Sequence, residues 1–296
     1  MSYVNDEILS QPDCWAQAVR LSRREGRLLP ARGERVAVIG CGTSLFMGEA
    51  YAVARESSGQ GLTDAFPASE FPSRRHYDRL VAISRSGRTT EVLDALDEVR
   101  GRLPTVAITA DPSTPIQEHA DELVALEFAD EQSVVQTRFA TTTLALLRAH
   151  LGQDLDGVIA DARLAVDAPE PAGAADRDQF TYLGRGWTVG LAHEAALKTR
   201  EAALSWAESY PAMEYRHGPV SISDERSLVW MLGQPPAGLA AQVTATAAMF
   251  VESMLEPMAE LVRCQRFAVS RAYQRGLDPD RPRNLSRAVV LDPSRP

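Results

Sequence analysis

Two short strand-like stretches in this chain, Arg35–Ile39 and Leu80–Ile83, apolar but for the leading Arg35, each empty without a spacer into a loop of glycines and hydroxyls. The first loop is Gly40-Cys41-Gly42-Thr43-Ser44; the second is Ser84-Arg85-Ser86-Gly87-Arg88-Thr89-Thr90-Glu91, and helical patterning follows both at once. A run of four or five apolar residues ending at a turn signal suits a strand buried on both faces. Such strands belong to parallel sheets, whose crossovers are usually helices. The repeat therefore restricts the chain to an α/β class built on βαβ units. It also gathers backbone N–H groups, hydroxyls and the positive end of a helix dipole at one place, which suits a phosphate ester.

Serine and threonine also cap helices, so Thr43, Ser44, Ser86 and Thr89 have a plain structural use as well. Two such loops in one half of the chain make anion binding the better reading. A dinucleotide is disfavoured, because Gly40–Leu45 lacks the third glycine of that fingerprint, and no Gly-Lys-Ser/Thr phosphate loop occurs.

The same alternation organises the rest. Residues 1–30 read as a helical arm, with Asn5-Asp6-Glu7 opening one helix and Pro12 in the first turn of another. Helices are expected over 43–57, 89–100 and 134–151, and strands over 104–109 and 123–126, which makes 31–166 a first domain. Asp167–Gly173, rich in Pro, Ala and Gly, reads as a linker. A second domain, 174–296, then carries strands at 180–183, 228–232, 266–269 and 288–291, with helices at 188–206 and 239–255.

Composition bounds the partners. Among 296 residues, 31 basic and 40 acidic side chains give a net charge of −9, which argues against nucleic acid or an anionic membrane surface. It does not exclude a small phosphorylated molecule held by local cations and helix ends. Cys14, Cys41 and Cys264 form no disulfide framework and have no metal-ligand spacing. Reduced thiols, no basic-then-apolar leader and no bilayer-length apolar stretch together predict a cytoplasmic protein.

One later helix carries chemistry. Glu194, Lys198 and Glu201 are spaced i, i+4, i+7, which puts all three on one face. A solvated face with two Glu–Lys pairs is the commoner meaning of that spacing. Against it, the helix is rich in alanine and begins beyond a glycine-bearing strand end, where ligands bind in open α/β sheets. A carboxylate and an ammonium on one rigid helix suit proton transfer next to a carbonyl. His217, before Gly218-Pro219, is either a loop histidine with local hydrogen bonds or an acid/base group. His76, His119, His150 and His193 form no ligand-spaced set, so no metal and no cofactor is expected.

Seven segments in order resemble the sugar isomerase (SIS) family in its tandem form: Glu7–Pro12, Gly40–Ser44, Ser84–Glu91, Glu131–Arg138, Glu194–Glu201, Glu214–Pro219 and Pro282–Leu285. The likeness extends to the isomerase half of glucosamine-6-phosphate synthase and to phosphosugar isomerases and deaminases. It implies two three-layer αβα units, each with a mainly parallel, doubly wound sheet. It further implies that Gly42, Thr43, Ser44, Ser84, Ser86, Gly87, Thr89 and Gln136 hold a sugar phosphate. By the same likeness Glu201 is the base between C1 and C2, Lys198 supports the enolate, Glu194 positions the polar chain and His217 assists ring opening. That histidine is offered across a subunit interface in the family, so a homodimer is implied.

Three departures matter. Ser2 follows Met1 where the synthase carries a cysteine, so glutamine hydrolysis is not expected. Gln136-Thr137-Arg138 replaces Ser-Thr-Lys. Arg287 replaces the lysine that forms an imine, and a guanidinium stays protonated. The expected activity is aldose/ketose isomerisation of a hexose or hexosamine 6-phosphate, with or without loss of ammonia. The alternative is a non-catalytic sugar-phosphate sensor.

Overall fold

The computed structural model describes residues 2–291. Helices α1 (Tyr3–Leu9) and α2 (Gln11–Glu25) open the chain, with Pro12 in the first turn of α2 as expected. The described residues form two compact units: one comprises 13–155 and 284–291, the other 2–12 and 156–283.

The first unit contains β1 (Val36–Gly40), α3 (Thr43–Ser57), β2 (Thr63–Pro67), β3 (Arg79–Ile83), α4 (Thr90–Val99), β4 (Thr105–Thr109), α5 (Ile116–His119), β5 (Glu122–Ala125) and α6 (Arg138–His150). Its five strands are parallel in the order β2-β1-β3-β4-β5. Every residue of β1 and β4 is buried, in keeping with their apolar centres, Val36–Ile39 and Val106–Ile108. Ala37, Ile39, Leu80 and Ala82 share a core cluster with Val92, Leu96 and Val99, the apolar stripe of α4. The chain runs outward from β1 in both directions, so the strand order reverses between β1 and β3. In doubly wound sheets the crevice at that reversal, beyond the carboxyl ends of the strands, is where ligands bind.

The second unit contains α7 (Asp156–Asp167), β6 (Gln179–Gly184), α8 (Thr188–Ala203), β7 (Ala207–Pro211), β8 (Ser227–Met231), α9 (Leu239–Thr244), β9 (Met249–Val251) and α10 (Pro257–Gln274). Its four strands are also parallel, in the order β7-β6-β8-β9, which repeats the first four positions of the other sheet. The likeness reaches single residues. Gly40 pairs with Pro67 and Gly184 with Pro211, each at the last register position of its pair. A Cβ on Gly40 would lie 2.8 Å from the Ser44 carbonyl carbon, and one on Gly184 would lie 2.2 Å from the Thr188 oxygen. Both strands thus need a bare backbone where the following helix returns.

Several sequence expectations are corrected. The helix expected to reach Trp206 stops at Ala203, where Leu204 turns left-handed at φ 50°, and β7 follows. The helix expected over 239–255 ends at Thr244, and Ala247, at φ 67°, leads into β9. The strand expected at Arg266–Val269 lies inside α10, a helix opened by Pro257 and capped by Glu256, whose side chain accepts from the Met258 N–H. A four-residue apolar run fits either element, and the longer helical stripe decides. Ala288–Leu291 forms no strand; instead the Thr90 N–H donates to the Val289 carbonyl. Helix α6 begins at Arg138 rather than at Val134, because the Glu131 carboxylate takes the Thr137 and Arg138 N–H groups. Strands β2, β7 and β9 and helices α5 and α7 were not anticipated. No helix among the described residues is long and apolar enough to cross a membrane.

Candidate functional site

In the first unit, the loops after β1 and β3 stand on either side of the strand-order reversal. Gly42, at φ 55°, precedes α3 and brings no side chain to its first turn; Thr43 and Ser44 are buried as that helix begins. Thr89 occupies the corresponding place before α4. The Thr89 side chain makes no capping hydrogen bond at the start of α4, and the N-cap of α3 is Gly42, which has no side chain to make one. Ser86 Oγ accepts from the Arg88 N–H at 3.3 Å, shaping the loop rather than capping the helix.

Gly87 could be no other residue without rearrangement. It sits at φ 58°, and a Cβ there would come within 2.0 Å of Thr114 Oγ1 and 2.9 Å of Ile116 Cγ2. Ser84 is 4% exposed, and among the described residues its Oγ has no hydrogen-bond partner; the buried Nε2 of Gln136 has none either. A buried polar atom left in that state costs about 1–3 kcal/mol, so both are groups that a polar ligand would satisfy.

Arg85 and Glu131 hold this region together and were not singled out as functional from the sequence. Arg85 is buried, pairs with Glu131 at 3.4 Å, and donates to the Ser133, Val134 and Arg287 carbonyls. Glu131 in turn accepts from Thr137 Oγ1 at 3.0 Å. One guanidinium thus joins the β3 loop, the approach to α6 and the C-terminal segment. The available signal was an arginine amid hydroxyls directly after a buried strand. Arg287 directs its guanidinium to the Asp130 carboxylate.

Cys41, between the two glycines, is free and partly buried. Burial, with Glu91 adding to it, pushes its thiol up to about 11.

In the second unit, α8 carries the other group of residues. Glu194 is fully buried and Lys198 only 1% exposed, with 3.7 Å between Lys198 Nζ and Glu194 Oε1. Lys198 also hydrogen-bonds Glu201, whose side chain keeps 18% of its surface. The solvated-face reading of the spacing is therefore wrong: this is a buried ammonium between two carboxylates. Glu201 is the one member of the three that reaches the surface, and it borders a cavity of about 250 Å³ lined by Gly276, Leu277, Asp278, Arg281 and Arg283. Desolvated pairs of this kind are costly and are held by rigid surroundings. The alanines of α8 supply those, packing it closely on α10, β6 and β7.

His217 ends a single 3-10 turn, Glu214–His217, and is exposed. Its neighbours fix the turn: Tyr215 is buried and hydrogen-bonds Ser223 at 2.5 Å, and Arg216 donates to Gln242 at 2.8 Å and to the Ala237 carbonyl at 2.9 Å. No group of three or more His, Cys, Asp or Glu residues among the described residues could hold a metal ion.

Residues 29–151 match the family model of the SIS domain. That match lies in the first unit, so it shows one such domain rather than the expected tandem pair. Three glutamine–fructose-6-phosphate aminotransferases (isomerizing) are each 27% identical to the chain. Those of Zymomonas mobilis, Halobacterium salinarum and Pyrobaculum aerophilum align with 98%, 86% and 73% of it, but with 59%, 51% and 44% of their own lengths. The chain thus spans about half the length of these curated relatives. Among solved structures, glucosamine-6-phosphate deaminase from Thermotoga maritima superposes with a TM-score of 0.80 at 24% identity, covering 98% of this chain and 100% of that one. Tagatose-6-phosphate ketose/aldose isomerase from Escherichia coli gives 0.78 at 20% identity, covering 99% and 97%. These likenesses are likenesses of fold.

Proposed function

We propose that the protein is a phosphosugar isomerase that moves a proton between C1 and C2 of a hexose or hexosamine 6-phosphate, with or without loss of ammonia. The observation that carries this reading is the buried Glu194–Lys198 pair beside a partly exposed Glu201 on one helix. In it Glu201 takes the proton as general base, and Lys198 supplies the neighbouring positive charge. Glu194 holds Lys198 in place, and His217 handles the proton of ring opening. Gly42, Thr43, Ser44, Ser84, Ser86, Gly87, Thr89 and Gln136 hold the phosphate and sugar through N–H groups, hydroxyls and helix dipoles.

The second unit is proposed as a second SIS-type unit, a reading supported by its repeated strand order and its matching strand-end glycines. The boundaries 31–166 and 174–296, the arm 1–30, a homodimer and a cytoplasmic location belong to the same proposal. So does the absence of imine chemistry at position 287, where the guanidinium is paired with Asp130.

The test is Glu201→Gln. Exchange of the C1 or C2 proton with solvent, followed by NMR across hexose and hexosamine 6-phosphates, should fall by about 10³-fold or more, with sugar-phosphate affinity changed by less than about 3-fold. Undiminished exchange in the variant would refute the assignment. Binding without exchange in the parent protein would make it a sugar-phosphate sensor instead.

A further inference from the structure

We propose a second anion site in the first unit, at the opposite end of the β3–α4 element from the hydroxyl loop, taking a phosphate or phosphate monoester. The loop entering β3 and the turn leaving α4 enclose a cavity of about 240 Å³ lined by Arg74, Arg75, His76, Tyr77 and Arg102. Three guanidinium groups line this small space; Arg75 is paired with Asp64 at 3.8 Å, and Arg74 and Arg102 leave a local excess of positive charge on a chain of net charge −9. The volume lies below the usual range for drug-sized ligands, so it suits a compact anion. Arginine forks pair with phosphate oxygens two at a time, which makes phosphate the chemistry these residues fit.

The two nearest carboxylates are held by residues that line the cavity itself, and they offset part of its positive charge. Asp64 accepts from Tyr77 Oη at 2.7 Å and lies 3.8 Å from Arg75; Glu98 accepts from Ser73 Oγ at 2.5 Å. Asp97 is paired with Arg100 and His119. The carboxyl end of α4 also points its negative dipole here, opposed by the guanidinium groups of Arg74 and Arg102. Arg102 donates to the Glu98 carbonyl, so its remaining N–H groups keep a fixed base.

This pocket cannot be part of the hydroxyl-loop site. Helix α4 has ten residues between the two ends, and at about 1.5 Å per residue they lie roughly 15 Å apart. The proposal concerns a different site from the one in the function reading, and it stands or falls separately.

Inorganic phosphate titrated calorimetrically into the full chain tests it. The parent should bind two phosphates, Ser86→Ala/Thr89→Ala one, and the combination of that variant with Arg74→Ala/Arg102→Ala none. Positions 74 and 102 are exposed, so far-UV circular dichroism should be unchanged, and Arg74→Glu/Arg102→Glu should abolish the same event. Repeating the titration with a sugar phosphate in the Ser86→Ala/Thr89→Ala background separates a phosphate-ester preference from free phosphate. If the combined variant binds phosphate as well as Ser86→Ala/Thr89→Ala does, the second site is refuted. If Ser86→Ala/Thr89→Ala loses nothing while Arg74→Ala/Arg102→Ala loses one phosphate, the basic pocket stands and the hydroxyl-loop assignment falls.

Discussion

Replacing Lys198 by methionine keeps the length of the side chain and removes its charge, which isolates the electrostatics of α8. Glu194 lies 3.7 Å from Lys198 Nζ, and both side chains are 1% exposed or less. At an effective dielectric of about 20, opposite unit charges at such a distance attract by roughly 4–5 kcal/mol. Taking one partner from a buried pair costs about 3–5 kcal/mol, because the remaining charge loses its compensation without regaining water. Lys198→Met should therefore lose about 3–5 kcal/mol of unfolding free energy. With a urea slope of about 2–3 kcal/mol/M, the midpoint drops by roughly 1–2.5 M. The charge-matched double variant Glu194→Gln/Lys198→Met should recover about 2 kcal/mol of that loss, and with Glu194→Gln alone it closes the cycle that reads the coupling. Trp187, Trp206 and Trp230 all lie in the unit that carries α8, so tryptophan fluorescence during urea unfolding follows the relevant transition. A loss under about 1 kcal/mol in Lys198→Met, or a double variant less stable than the single, would refute the claim that the pair is electrostatically coupled in a dry setting.

Gly87→Ala combines a strained φ with a 2.0 Å approach to Thr114 Oγ1; thermal denaturation should show a loss of about 2–4 kcal/mol, partly relieved by adding Thr114→Ala. Burial alone would raise the Glu34 carboxyl. The Arg79 hydrogen bond, the Ala31 N–H, and the charges of Arg79 and Arg55 together bring it below its usual 4.5. A depressed folded-state pKa means its contribution is complete above 4.5 and disappears as pH falls through the depressed value. Glu34→Gln should therefore flatten the loss of stability between about pH 5 and pH 2, measured by urea midpoints. Cys41, with its thiol raised to about 11 rather than 9.0, should be alkylated by iodoacetamide near pH 7.5 about 100-fold more slowly than an ordinary exposed thiol.

Central strands were legible in the sequence because they are buried on both faces, and burial writes itself as an unbroken apolar run. Val36–Gly40, Arg79–Ile83 and Thr105–Thr109 were found within a residue or so for that reason. The three missed strands, Thr63–Pro67, Ala207–Pro211 and Met249–Val251, lie at the edges of their sheets and pair on one side; the first two carry polar residues and a terminal proline, and the third is only three residues long. The same limit explains Arg266–Val269: four apolar residues have no period long enough to separate a strand from a buried helix.

The residue types and spacing on α8, and the two hydroxyl loops, were present in the sequence alone. Spacing along a helix puts Glu194, Lys198 and Glu201 on a common face whatever surrounds them, and a glycine after a strand turns the chain wherever the strand lies. Whether that face meets water or protein is a property of the elements packed against it. Only folding placed Glu194 and Lys198 out of solvent while leaving Glu201 at a cavity edge. Only folding brought Arg85 to Glu131 and to the Arg287 carbonyl, contacts spanning 46 and 202 residues. Local chemistry is set by neighbours in the chain; desolvation and long-range pairing are set by neighbours in space, and those decide which charges are buried and what holds the loops.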